Sequence, residues 1–330
     1  MTSVFLGNIK GPAGRGISSI TKTASVGLVD TYTVTYTDNT TDTFNITNGA
    51  DGIIETEITI EYGSFNDLAA LINEAEDNDI IILEKNYKNN IEPEIIIDKN
   101  IIIIGNGFAI DGNNVSRAFN VNSGNLELYN MTIQNCSEIE GGAINVTNGS
   151  LTLVGVSFNN NTTTNGHGGA IKIGYNSNVY MNDCKFNSNN SIKEGANSLG
   201  GAICINDSNA DILRTIFIHN QADEAGAIYI RNSDFNIQHS TFTSNNAIIK
   251  GGALSLYLIS SIDMKNDIFE NNKVNNSSSA NTASIYAETQ KTIYNCEYPR
   301  DTVYNIINED YITDENLMTF MTELSNKITT

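Results

Sequence analysis

Four short polar stretches hold the side chains that could do chemistry. They carry Glu138 and Glu140, then His167, then Lys193 and Glu194, then Asp223 and Glu224. Carboxylates held about 5–9.5 Å apart are what glycoside hydrolysis needs, one as acid and the other as base or nucleophile. A histidine flanked by glycines, as in NGHGGA around His167, has the residue type of a base or ligand. It is equally a turn residue, and that reading is preferred. The sequence shows no Ser–His or Cys–His pairing, zinc-ligand spacing, phosphate loop or dinucleotide fingerprint. Cys136, Cys184, Cys204 and Cys296 read as small buried hydrophobes, not a disulfide framework. Because an acidic chain puts carboxylates on every exposed stretch, these groups are expected to contact solvent or sugar hydroxyls. No catalytic residue, metal or cofactor is assigned. Asn165 and Asn197 in these stretches, and Asn276 in a further one, add amides able to donate to and accept from hydroxyl groups.

What positions these stretches is a repeat. The chain reads GGAI at 141–144, 168–171 and 200–203, AGAI at 225–228, GGAL at 251–254 and TASI at 282–285. Each copy is answered downstream: FNNN at 158–161, FNSN at 186–189, FIHN at 217–220, FTSN at 242–245, FENN at 269–272 and YPRD at 298–301. From motif alanine to the next aromatic is 15 or 16 residues, while the return path varies from 7 to 13. A constant arc of short alternating runs implies stacked strands, and a variable arc implies loops on one edge. The expectation is an all-β solenoid of eight to ten coils over residues 80–310. Phe158, Phe186, Phe217, Phe242 and Phe269 would form one internal stack, and Asn161, Asn189, Asn220, Asn245 and Asn272 an internal amide ladder. The loops at 137–140, 162–168, 190–199, 221–224, 246–250 and 273–281 would line one edge, the third protruding furthest.

The flanks are read from local signals. Residues 1–60 hold a small antiparallel module, with strands at Ile17–Thr23, Asp30–Thr37 and Thr43–Thr47 and a turn at Asp38-Asn39-Thr40, between the G-x-x-G stretches 11–14 and 49–52. So small a module needs a partner, and a homo-oligomer, a trimer, is expected. Ser64 with Asp67 three residues on predicts a helix start within 61–79, where Phe65, Leu68, Leu71, Ile72 and Ala75 make a lid face. The nearly all-Ile runs Ile80–Leu83, Ile95–Ile97 and Ile101–Ile104 read as in-facing and contacting strands. A second helix is predicted over 311–330, from Thr313, with Leu317, Phe320, Met321, Leu324 and Ile328 on one side. With 18 basic against 38 acidic residues, net charge −20, a basic surface for nucleic acid or anionic membrane is excluded. No apolar run reaches the ~18 residues of a membrane span, and MTSVFLGNIKGPAGRG lacks the apolar core of a signal peptide.

The GGAI and FxxN pairs resemble the repeats of chlamydial polymorphic outer-membrane proteins and of methanogen adhesin-like β-helix proteins. That resemblance covers about half the chain. It implies a right-handed parallel β-helix on an exposed surface, with motif residues that are structural. The segment from Lys10 to Gly52 resembles a module of tail-fibre and baseplate proteins in phages of Gram-positive bacteria. It implies attachment to a virus particle at the N-terminal end. Together they imply a virion tail-fibre or host-attachment protein, assembled in the host cytoplasm beside other tail and baseplate proteins. Its edge loops would meet a host-surface glycan or surface protein. The alternatives are a cellular adhesin-like surface protein and a tailspike that depolymerises polysaccharide.

Overall fold

The computed structural model describes residues 17–26, 29–47, 62–259, 261–275, 284–294, 296–297 and 303–309. The predicted C-terminal helix, the YPRD motif, both G-x-x-G stretches and most of the sixth loop, Asn276 included, lie outside the described residues. The chain divides into two compact units, residues 1–60 and 61–330.

The first unit is a three-stranded antiparallel sheet of Ile17–Val26, Val29–Tyr36 and Thr41–Thr47. Asn39 adopts φ 65° at the tip, and Thr40 N–H donates to Asp38 Oδ1 at 3.0 Å, as an Asx turn requires. Tyr32 stacks on Phe44 at 5.5 Å. Among its described residues only Asp30 and Val34 are buried.

The second unit opens with helix α1, Phe65–Glu74. Ser64 Oγ accepts the Asp67 N–H at 3.1 Å, and Asp67 Oδ2 accepts the Ser64 N–H at 2.8 Å, a complete capping box. Phe65, Leu68 and Ile72 join the main core. Leu71 does not: it lies at the margin of the stripe and is exposed, a correction to the predicted lid face.

A parallel β-helix follows, with three sheets of short strands. The motif sheet contains Ile144–Thr147, Ile171–Gly174, Ile203–Asn206, Ile228–Arg231 and Leu254–Tyr257. The long sheet contains Ser150–Val154, Asn178–Asn182, Asn209–Leu213 and Asp234–Gln238. The aromatic sheet has eight strands, Ser157–Asn159, Lys185–Asn187, Ile216–Ile218 and Thr241–Thr243 among them, and marks eight turns. Register is kept from coil to coil: Phe158 pairs with Phe186, Phe186 with Phe217, Phe217 with Phe242 and Phe242 with Phe269. In the last turn Ile285–Tyr294 runs as one strand, fusing motif and long sheets into a 17-stranded whole.

The early isoleucines are a second correction. Ile101 and Ile103 are buried, but Ile80 and Ile82 are more than half exposed, and Ile96 is exposed. The strands run Asp79–Ile82, Ile95–Ile97 and Asn100–Ile104 in single-walled coils. A strand alternates its side chains between faces, so an all-Ile strand in such a wall must put half of them outside.

The interior is organised by ladders. The five rings Phe158, Phe186, Phe217, Phe242 and Phe269 stack with centroids 4.7, 5.0, 4.7 and 4.7 Å apart and planes within 9°. All five are fully buried, and truncating a buried Phe to Ala typically costs about 3–5 kcal/mol. Three residues after each ring, the asparagine amides bond in series: Asn161 Nδ2 to Asn189 Oδ1 at 3.0 Å, then 2.9 Å for Asn189 to Asn220, Asn220 to Asn245 and Asn245 to Asn272. Cys136, which stands where the next asparagine would, still donates its N–H to Asn161 Oδ1.

Several corners of the later coils follow the same rule. A left-handed residue is followed by a polar residue that accepts a buried N–H from the coil before. Asp207 (φ 51°) and Asn232 (φ 49°) precede Ser208 and Ser233, with Ser177 N–H to Ser208 Oγ and Ser208 N–H to Ser233 Oγ both 3.2 Å. Arg214, His239 and Asn266, all with positive φ, precede Thr215, Ser240 and Asp267. Thr215 N–H donates to Ser240 Oγ at 3.1 Å, and Ser240 N–H to Asp267 Oδ1 at 2.8 Å. His219 and His239 therefore turn outward as left-handed corner residues.

Asp267 makes this last ladder pH-sensitive. It is fully buried, and desolvation raises its carboxyl pKa to about 8 against the bonds from Ser240, Cys296 and the backbone. An unfolded aspartate titrates near ~3.9. The folded protein thus prefers the protonated acid, a preference fully present below pH ~4 and lost as pH rises to about 8. Stability should fall by a few kcal/mol between those limits. Asp267→Ser, which copies Ser240 one coil back, should flatten the slope and raise the alkaline urea midpoint. Parallel profiles for the two proteins would sink the assignment.

Candidate functional site

The edge predicted to be irregular loops is partly regular. Ser137–Glu138 pairs with Thr162–Thr163, and Gln221–Glu224 with Asn246–Lys250, which in turn pairs with Lys273–Val274. Asn190 bridges Thr162 and Gln221, joining the two groups into one strip. The fourth and fifth loops are therefore strands, a correction. Their Ala222 and Ala247 are buried.

The strip packs against the outer face of the motif sheet. Ile203 and Ile205 face the main core, and Cys204 between them faces outward into a second small cluster with Ala225 and Tyr229, against which Leu199 and Tyr257 pack. Tyr229, Tyr257 and Tyr286 continue as a tilted row with ring centroids 5.3 and 5.7 Å apart. Lys250 Nζ lies 4.8 and 4.4 Å from the Tyr257 and Tyr286 ring centres, a cation–π placement.

This packing decides the fate of each predicted site residue. Glu224 is buried, a correction to its reading as an exposed recognition group. Tyr257 Oη donates to it, Lys250 Nζ stands 3.6 Å away, and burial raises its carboxyl pKa. Asp223 Oδ2 accepts the Ser198 N–H at 2.8 Å and its hydroxyl at 3.0 Å, closing the third loop from the next coil. Glu138 accepts the Ile139 N–H, and Glu140 turns to Lys172 at 3.9 Å. His167 Nδ1 lies 3.1 Å from the Leu199 N–H and Nε2 lies 2.8 Å from Lys193 Nζ. A neutral ring has one acceptor nitrogen, so it accepts from one of these two donors at a time. Burial first, then Lys172 and Lys193, lower the His167 pKa to about 4. It is a neutral tie between loops.

The longest exposed run of the described edge, residues 194–197, is in the third loop. Asn165 Oδ1 accepts the Glu194 N–H at 3.1 Å, and Glu194 and Asn197 are exposed. Ser191 and Ser198 pin its ends: Ser191 Oγ donates to Gly166 O at 3.1 Å, and Ser198 is held by Asp223. Among the described residues no group of three or more His, Cys, Asp or Glu is placed to hold a metal ion, and no helix is long and apolar enough to cross a membrane. No family model, curated protein or solved structure matches the chain. The architecture, a β-solenoid with one irregular edge, is of a kind suited to binding carbohydrates or surfaces.

Two features escaped sequence reading. The tyrosine row was signalled only by aromatics at outward motif-sheet positions. The burial of Glu224 depends on a lysine and a tyrosine one coil on.

Proposed function

We propose that this chain is a non-enzymatic attachment protein, a tail-fibre or host-attachment component of a virus particle. It meets a host-surface glycan or surface protein with the third loop and its neighbours. The observation that carries this reading is the division of labour along the edge. Glu138, Glu140, Asp223 and Glu224 are committed to protein partners, whereas Glu194 and Asn197 stand free of the strip on a pinned loop. A rigid scaffold that presents one protruding polar loop is an arrangement for recognition. The resemblance of the N-terminal segment to tail modules supplies the viral part of the proposal.

The test replaces residues 193–197 by Gly/Ser, keeping Ser191 and Ser198 as anchors. Fluorescently labelled wild-type and grafted chains are compared for binding to cells of Gram-positive bacteria and of methanogenic archaea. The graft should retain its circular dichroism and lose at least tenfold in binding. Undiminished binding by the graft, or no binding of the wild type to any cell tested, overturns the assignment.

A further inference from the structure

Most motif arcs are 15 residues long, but Ala170 to Phe186 and Ala253 to Phe269 take 16. Both extra residues fall at the corner between the motif and long sheets. In the first, Tyr175 and Asn176 are consecutive left-handed residues, φ 55° and 56°; in the second, Leu258 has φ 46°. Tyr175 is 67% exposed and Leu258 57%. Bulky side chains are rare in that region of backbone space, and residues held there collect at binding sites.

The two coils between have corners of ordinary length, and a cavity of about 380 Å³ lies among the four. Lys172, Gly174, Tyr175, Asn206, Arg231 and Leu258 line it. Gly174 is informative because neither conformation nor crowding requires it: its φ is not positive, and a Cβ built there meets nothing within 4 Å. Equivalent positions hold Thr147, Asn206, Arg231 and Tyr257. The missing side chain leaves open space in the floor.

Its charge runs against the chain's. In a protein of net charge −20, two cations face this space. Arg231 is exposed, and its guanidinium makes no ion pair or hydrogen bond with a described residue. Lys172 is 13% exposed, 3.9 Å from Glu140, and donates to Cys204 Sγ at 3.3 Å; the Asn206 amide, oriented to satisfy its own neighbours, turns its oxygen to the ammonium at 2.6 Å. The lining carboxylate, Asp207, is held by Asn232 Nδ2 at 2.6 Å.

We propose that this pocket binds one glycosyl unit bearing an oxyanion, a carboxylate or a phosphate. Arg231 receives the anion with its forked donors, Lys172 adds charge from the floor, and Tyr175 is the platform for the sugar face. The pocket is separate from the third loop. The choice of a sugar rests on the proposed glycan recognition, and the preference for an anion does not.

The full chain is titrated with glucuronate, glucose 6-phosphate and glucose, followed by saturation-transfer NMR and calorimetry. At least one acidic sugar should bind and glucose should not; which of the two binds identifies the oxyanion. Arg231→Gln should weaken binding at least tenfold. Gly174→Val should abolish it with the unfolding midpoint unchanged or raised. If that variant is destabilised, Tyr175→Ala, which removes an exposed ring, should still weaken binding at least fivefold. The 193–197 graft should bind acidic sugars like wild type, so failure of the loop assignment and failure of the pocket are read separately. Absence of binding by both acidic sugars, equal binding of glucose, or undiminished binding by Arg231→Gln or Tyr175→Ala overturns the proposal.

Discussion

Gly201→Ala is expected to lower stability by about 3–5 kcal/mol, above the ~1–3 kcal/mol typical of overpacking. A Cβ at residue 201 would overlap the carbonyl oxygen of Gly226 in the next coil and stand 2.5 Å from Gln221 N. The conflict is with backbone on two sides, so no rotamer relieves it. Nor can one coil move aside. From Gly142 to Gly226 the second glycine of the motif meets the next in the same way, Gly169 against Gly201 O and Gly226 against Gly252 O, so any displacement passes to the neighbouring rungs. Gly174 in the motif sheet is the internal control, because its Cβ would meet nothing. Gly174→Ala should change stability by less than about 1 kcal/mol. Urea unfolding followed by circular dichroism compares the two. A loss below about 1 kcal/mol for Gly201→Ala would mean that the coils slide past one another and that the double glycine is not what sets their approach.

The first glycine of the motif works differently. Gly141, Gly168, Gly200 and Gly251 take positive φ, and in the fourth copy Ala225 takes φ 60° in their place. The motif thus combines a conformational glycine with a contact glycine, and only the second is present in all five copies from 141 to 254.

Much of this was legible in the residues because the fold repeats an identity in register. The ring stack and the amide ladder follow from Phe and Asn recurring on a fixed arc, since parallel coils place equal positions one strand spacing apart. Where the structure departs from expectation, the deciding contact lies in another coil and repeats too few times to show. Glu224 reads as an exposed loop acid until Tyr257 and Lys250 cover it. The strip of Gln221–Glu224 and Asn246–Lys250 reads as loop because its length changes from coil to coil. The corner insertions at Tyr175 and Leu258 were visible as arcs of 16 against 15, but one added residue says nothing of which corner takes it up. The corners themselves are half-legible. Asn and Asp accept left-handed backbone readily, and most corners use them; Arg214, Tyr175 and Leu258 do not announce the conformation they adopt.

Asn220→Leu should be about as damaging as the glycine change, by another route. Asn220 Oδ1 accepts the Asn189 N–H at 3.0 Å and Asn189 Nδ2 at 2.9 Å, while its Nδ2 donates to Phe186 O at 3.0 Å and to Asn245 Oδ1 at 2.9 Å. All four bonds are buried, and leucine fills a similar volume while making none of them. The Asn189 N–H loses its acceptor, and one Asn189 amide proton is left facing hydrocarbon. Each buried donor stranded in this way costs about 1–3 kcal/mol, so a loss of about 3–5 kcal/mol is expected, centred on the turn that joins aromatic sheet and edge strip. Leucine is chosen over alanine because a polar hole could admit a bridging water and hide the effect. Asn220→Asp separates the acceptor half of the role from the donor half. Its oxygens can still accept from Asn189, but an ionised carboxylate would face Phe186 O and Asn245 Oδ1 with no proton to give. Burial raises the pKa of such an acid, so this variant should approach wild-type stability below pH ~4 and lose it as pH rises, by the linkage that governs any acid titrating higher in the folded state. Hydrogen exchange at the Asn189 amide and urea midpoints at pH 4 and 7 test both substitutions. If Asn220→Leu costs less than about 1 kcal/mol and the Asn189 amide stays protected, the ladder is a consequence of coil stacking and does not hold it together.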